Sequence, residues 1–188
     1  MDSPFMESMA QHLAVRGVAV VRFEFSYMAA RRQDGIRRPP NPQAQLLDSW
    51  RQVYASVRRQ VTGVLAIGGK SMGGRMASML ADELGADALI CLGYPFHAPG
   101  KQDKPRVAHL EGLRTPALIV QGTRDRMGAA AEVEGYALAP GVEVLWLESG
   151  DHDLKPTKVS GFTHADYLER TAVAVAAFLE RVAATVAD

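Results

Sequence analysis

The sequence predicts an α/β fold, a mostly parallel sheet with helices on both faces. Three observations predict it. Short apolar runs alternate with amphipathic ones along the 188 residues. Several of those runs carry almost no polar residue, as strands buried on both faces do. The pattern Gly69-Lys70-Ser71-Met72-Gly73 falls where one such run gives way to a helix-like stretch.

Taken in order, Gly17 to Phe25 is rich in Val and Phe and reads as a strand. Gln43 to Gln60 sets Leu46, Trp50, Val53 and Val57 on one face at helical spacing. Gly63 to Gly68 reads as a buried strand, and Met72 to Leu84, rich in Met, Ala and Leu, as the helix after it. Ala86 to Leu92, Pro116 to Gln121 and Val142 to Leu147 are three more strands. A helical stretch around Ala129 to Leu138 separates the last two. A final helix spans roughly Thr163 to Ala183, striped by Leu168, Ala172, Val175, Leu179 and Val182. Met28 to Pro42 and Phe96 to Arg114 break the rhythm with Arg-Arg, Pro-Pro and Pro-Gly steps and read as long connections.

Composition bounds the function. Hydrophobic residues make up 47% and charged residues 22%, with zero formal net charge. That balance fits one domain, residues 1–188, and gives no nucleic-acid footprint. The cluster Arg31, Arg32, Arg37 and Arg38 reads as solvated surface. A lone cysteine, Cys91, allows no internal disulfide or multi-cysteine metal site and reads as a small buried hydrophobe. No run reaches transmembrane length and no signal peptide is read, so a cytoplasmic protein without membrane attachment is expected. No metal and no cofactor are expected.

Ligands on open parallel sheets collect beyond the carboxyl ends of the strands. Three reactive residues fall just past such ends: Ser71, Asp125 and His152, each on a different loop. A serine hydroxyl needs a base, a neutral imidazole is one near pH 7, and a carboxylate fixes the imidazole tautomer. The backbone N–H of Met72 is the expected donor to a developing oxyanion. Gly69 and Gly73 are expected to leave room for a sharp turn at Ser71. Ser71 as a simple helix N-cap and Asp125 as a turn residue are the bland alternatives. Asp103, Asp151 and Asp153 compete with Asp125, although the last two adjoin His152 too closely to orient its far side. Tyr27 and His97 are candidate pocket residues, while His12, His109 and His164 read as surface. Gly69-Lys70-Ser71 also ends like a phosphate-binding loop, but position 64 is Val and residues 64 to 67 read as strand.

With these residues in hand, the chain resembles an α/β-hydrolase, whose triad runs Ser, Asp, His along the chain. More narrowly, it resembles the hydrolases grouped with testis-expressed protein 30 and the third subunit of the NSL acetyltransferase complex. The matching stretches are Asp2 to Met6, Arg22 to Phe25 with Tyr27-Met28, Gly69 to Arg75, Gly93 to His97 with Pro99 to Lys101, and Gln121 to Asp125. The resemblance implies a dienelactone-hydrolase-like domain with Ser71, Asp125 and His152 as its triad. It implies no substrate. In such relatives a strand and an oxyanion turn precede the Asp2 to Met6 segment, inside the sheet between the strand of residues 17 to 25 and the elbow strand. The chain is therefore expected to be N-terminally shortened, with an upstream segment supplying the second oxyanion donor. The expected function is acyl transfer through Ser71 on a small-molecule ester or thioester, with a protein partner conceivable. The alternative is a non-catalytic module of the same fold used for protein binding.

Overall fold

The computed structural model describes residues 1–187. Among them the elements run α1 (Pro4–Ala14), α2 (Ser26–Asp34), α3 (Gln43–Arg58), β1 (Ala66–Lys70), α4 (Met72–Ser78), α5 (Ala81–Leu84), β2 (Ala88–Leu92), β3 (Ala117–Gly122), α6 (Ala130–Val133), β4 (Val142–Leu147) and α7 (His164–Ala187). The four strands pair in parallel in the order β1-β2-β3-β4. The α/β architecture follows from alternation within strands that are buried on both sides. In β2, Leu89 and Cys91 face one layer, while Ala88 and Leu92 face the other. In β3, Ala117 and Ile119 join the first layer, and Leu118 and Val120 the second. The first layer is closed by Leu46, Trp50 and Tyr54 of α3 and Met76 and Ala77 of α4. The second is closed by Met9 of α1 and the α7 stripe Leu168, Ala172, Val175 and Val182. Each fully buried Leu or Ile of this kind contributes about 1.5–3 kcal/mol.

Each helix end has a local cause. Ser3 caps α1, its Oγ accepting the Met6 N–H at 3.3 Å, with Pro4 as first helical residue. Residues 26 to 34 form a helix where the sequence suggested a loop. Met28 to Arg32 are good helix formers, and left-handed Gly35 at φ 71° ends the run. The Met72 to Leu84 helix is broken into α4 and α5 at Met79-Leu80. The stretch expected over 129 to 138 keeps only Ala130–Val133 before Gly135 and Pro140 intervene.

Gly17 to Phe25 corrects a larger expectation. It belongs to no strand, and Val20 and Val21 are exposed. Phe23 and Phe25 instead pack toward Trp50, the Phe23 and Trp50 rings meeting edge-on at 4.7 Å. Strand propensity is realised only where a ladder partner lies alongside, and this segment pairs with none of the described strands.

Candidate active site

β1 runs two residues further than the apolar run suggested, to Lys70, so Ser71 follows the strand directly. Its backbone stands at φ 51°, ψ −119°, a conformation that L side chains rarely adopt. Hydrogen bonds hold it there. Ser71 N–H donates to Leu92 O at 2.9 Å, and Ser71 O accepts from Arg75 N–H at 3.0 Å. Ser71 occupies the N-cap position of α4, yet its side chain makes no capping bond. Its Oγ lies 2.9 Å from His152 Nε2 instead.

The glycines around the turn divide their work differently from expectation. A Cβ at Gly69 would sit 3.2 Å from Gly73 C and Gly74 N, so Gly69 does make room for the helix. A Cβ at Gly73 would meet nothing within 4 Å, so Gly73 is not the crowded position. Gly74 is, since a Cβ there would come within 2.6 Å of Gly69 O. Gly68 is tighter still, its Cβ falling 2.0 Å from Ile90 O.

His152 and Asp125 arrive from the ends of β4 and β3. Asp125 is fully buried, and its Oδ2 lies 2.7 Å from His152 Nδ1. Because a carboxylate oxygen only accepts, Nδ1 carries the proton, and Nε2 is left to accept from the Ser71 hydroxyl. Asp125 Oδ2 also accepts from Gln121 Nε2 at 2.9 Å, and Oδ1 accepts from Met127 N–H at 2.8 Å. Three donors therefore fix the carboxylate. Gln121, fully buried, is itself held by Tyr94 N–H, Tyr94 O and Gly128 O. Sequence reading missed Gln121, although a polar residue closing the apolar run Pro116 to Val120 was the available signal.

The His152 loop is pressed against the sheet through glycines. A Cβ at Gly93, which stands at φ 63°, would lie 2.7 Å from His152 O and 3.5 Å from His152 Nδ1. A Cβ at Gly122 would lie 2.3 Å from Gly150 O. Lys70, just before Ser71, clamps the loop from the other side. Its ammonium donates to His152 O at 2.8 Å and pairs with Asp153 Oδ1 at 3.0 Å. That hydrogen bond holds the Asp153 carboxyl below its ordinary range, against some desolvation. Lys70 is thus a strand residue committed to the His152 loop, unlike the lysine of a phosphate-binding loop. Asp151 Oδ1 accepts from the N–H groups of Asp153 and Lys155, both at 2.9 Å, and shapes the turn. Asp103, Asp151 and Asp153 are exposed and none takes the place of Asp125.

Met72 N–H opens α4, and no described backbone or side-chain acceptor engages it. Tyr27 lines a cleft of about 470 Å³ with Ser26, Ala30, Arg38 and the Pro39–Pro42 segment, and none of Ser71, Asp125 and His152 lines it. His97 departs from its expected place. It is fully buried, 2.8 Å from Ala98 O and 3.2 Å from Glu132 Oε2. Tyr136 donates to the same carboxylate at 2.5 Å, its own phenol pushed up to about 12 by desolvation and by Glu132. His109 is half-buried rather than on the surface, 2.8 Å from Ser78 Oγ and 3.3 Å from the Tyr94 hydroxyl. Cys91 is buried beside Gly74 O, and desolvation pushes its thiol up. Among the described residues, no group of three or more His, Cys, Asp or Glu side chains gathers to hold a metal.

The family model for the alpha/beta hydrolase domain matches residues 1–180. The chain belongs to that family. Solved structures share the fold at low identity. An esterase domain of a Rhodothermus marinus protein matches with a TM-score of 0.67 at 16% identity, over 94% of this chain and 80% of that one. An alpha-beta serine hydrolase homologue from Coxiella burnetii matches with a TM-score of 0.65 at 17% identity, over 96% and 76%. XC6422 from Xanthomonas campestris, a serine hydrolase without a lid, matches with a TM-score of 0.63 at 19% identity, over 97% and 73%. No helix among the described residues is long and apolar enough to cross a membrane.

Proposed function

We propose that this α/β-hydrolase is a serine hydrolase that transfers acyl groups from small-molecule esters or thioesters to water through Ser71. The observation that carries the reading is the unbroken hydrogen-bond path from Ser71 Oγ through both nitrogens of His152 to buried Asp125, with links of 2.9 and 2.7 Å. Ser71 Oγ attacks the acyl carbon as His152 Nε2 takes its proton. Asp125 holds the imidazole in the Nδ1–H tautomer and stabilises the imidazolium. The tetrahedral oxyanion is met by Met72 N–H. Collapse expels the leaving group, which receives the proton from Nε2. Water, deprotonated by the same nitrogen, then releases the acid and restores Ser71.

The wider grouping with testis-expressed protein 30, a dienelactone-hydrolase-like character and a cytoplasmic setting are parts of the same proposal. The first two rest on the matching sequence stretches. The test is hydrolysis of 4-nitrophenyl butyrate. Ser71→Ala and His152→Ala are each expected to lower kcat by about 10⁴-fold or more, and the double variant little further, because the groups act as a unit. Independent, additive losses would refute the triad.

A further inference from the structure

Seven arginines of this chain hold a carboxylate. Arg16, Arg32, Arg38, Arg51, Arg58, Arg114 and Arg181 each pair with an Asp or Glu. Arg75 and Arg106 pair with none among the described residues, although both are half-buried. Arg75 lies on α4, four residues or about 6 Å of helix beyond Ser71. Its Nε is shut from solvent and has no hydrogen-bond partner. Its guanidinium makes a single long contact, Nη2 to Gln43 Oε1 at 3.5 Å.

A polar network ties the backbones of Arg75 and Arg106 to one cluster. Ser78 Oγ donates to Arg75 O at 2.8 Å, and the Tyr94 hydroxyl donates to Arg106 O at 2.9 Å. Both hydroxyls have spent their protons, so His109 Nε2, 2.8 and 3.3 Å from them, must be the N–H that donates to each. Arg106 N–H further donates to Phe96 O at 2.6 Å, tying its loop to the end of β2. Burial and the charge of Arg106 both pull the Arg75 guanidinium below its ordinary value. Burial, with the charge of Arg75, likewise lowers His109 and keeps the imidazole neutral.

Two half-buried guanidiniums near enough to repel, with no counter-charge among the described residues, are a standing electrostatic cost that an anion offsets. Guanidiniums are suited to planar oxyanions, which they bind with paired N–H groups. We propose that Arg75 and Arg106 form a subsite for an oxyanion, a carboxylate or phosphate carried by the substrate one helical turn from the ester attacked by Ser71. The inference rests on the serine-hydrolase reading and narrows its substrates to anionic esters and thioesters.

The test compares 4-nitrophenyl hemiadipate, which carries a free carboxylate, with neutral 4-nitrophenyl butyrate at low ionic strength. The native chain is expected to prefer the hemiadipate, and Arg75→Met and Arg106→Met each to lower the ratio of the two kcat/KM values by about tenfold or more. Melting curves check that the variants fold, and Arg106→Met, on a loop, carries the test if the α4 variant does not. Calorimetric titration of monomethyl adipate into Ser71→Ala, with and without Arg106→Met, reads binding apart from turnover. Binding lost with Arg106 but no hydrolysis by the native chain would keep the subsite and reject the hydrolase. Competition by inorganic phosphate that disappears in Arg106→Met extends the site to phosphates, and competition by adipate alone narrows it to carboxylates. A ratio unchanged within about twofold in both folded variants overturns the proposal.

Discussion

Replacing Gly93 by alanine strikes the candidate site without touching a reacting group. Two costs are legible. Gly93 stands at φ 63°, where an L side chain costs about 1–2 kcal/mol. The new Cβ would also lie 2.7 Å from His152 O, a contact real structures essentially never show. To reach an ordinary contact of 3.4 Å the His152 backbone must retreat by about 0.7 Å, in an interior packed too densely to absorb it freely. That shift lengthens the 2.9 Å link to Ser71 Oγ and the 2.7 Å link to Asp125. A displacement of this size is expected to lower kcat on 4-nitrophenyl butyrate by about 10- to 100-fold. The control is Gly100→Ala. Gly100 stands at φ 69°, but its Cβ would meet nothing within 4 Å. It is expected to lose a similar 1–2 kcal/mol, roughly 2–8 °C in melting temperature, while keeping its turnover. Steady-state kinetics and thermal melts of the two variants are the assay. Equal activity losses in both, or full activity in Gly93→Ala, would refute the claim that glycine is there to admit the His152 loop.

Three further outcomes are expected. Lys70→Met releases the clamp on His152 O and Asp153, so kcat on the neutral ester should fall by about tenfold with KM little changed, and Lys70→Arg should recover part of it. Gln121→Leu orphans Tyr94 N–H, Tyr94 O and one lobe of Asp125, and should cost about 2–4 kcal/mol in urea unfolding as well as activity. Because the Asp153 carboxyl is depressed by Lys70, its contribution to stability is present above the unfolded value and lost as pH falls through the folded one. The melting difference between native protein and Asp153→Asn should therefore be largest near neutral pH and vanish in acid.

The sheet was legible because its strands are buried on both faces and so read as apolar runs, with ends misplaced by two residues or so. β1 reached Lys70 because glycine and lysine carry no strand signal, although the ladder to β2 continues through them. Gly17 to Phe25 misled for the opposite reason. Its Val and Phe content signals a strand, but pairing is a property of the neighbour. The meeting of Ser71, Asp125 and His152 was legible because each sits just past a strand end, where ligands collect on an open parallel sheet. Their supports were not. Gly93 meets His152, 59 positions away, and Gln121 is held by Tyr94, 27 positions away, contacts that no local pattern records. His97 and His109 were misplaced for the same reason, since their burial is decided by Glu132, Ser78 and Tyr94 folding over them.

The central claim is that His152 and Asp125 make Ser71 a nucleophile. Its most direct test is the reaction of the native chain with a fluorophosphonate, followed by intact-mass measurement and peptide mapping. The account predicts a single phosphonyl adduct on Ser71, absent from Ser71→Ala and formed far more slowly in His152→Ala. An unmodified native chain, or an adduct on any other residue, would contradict it.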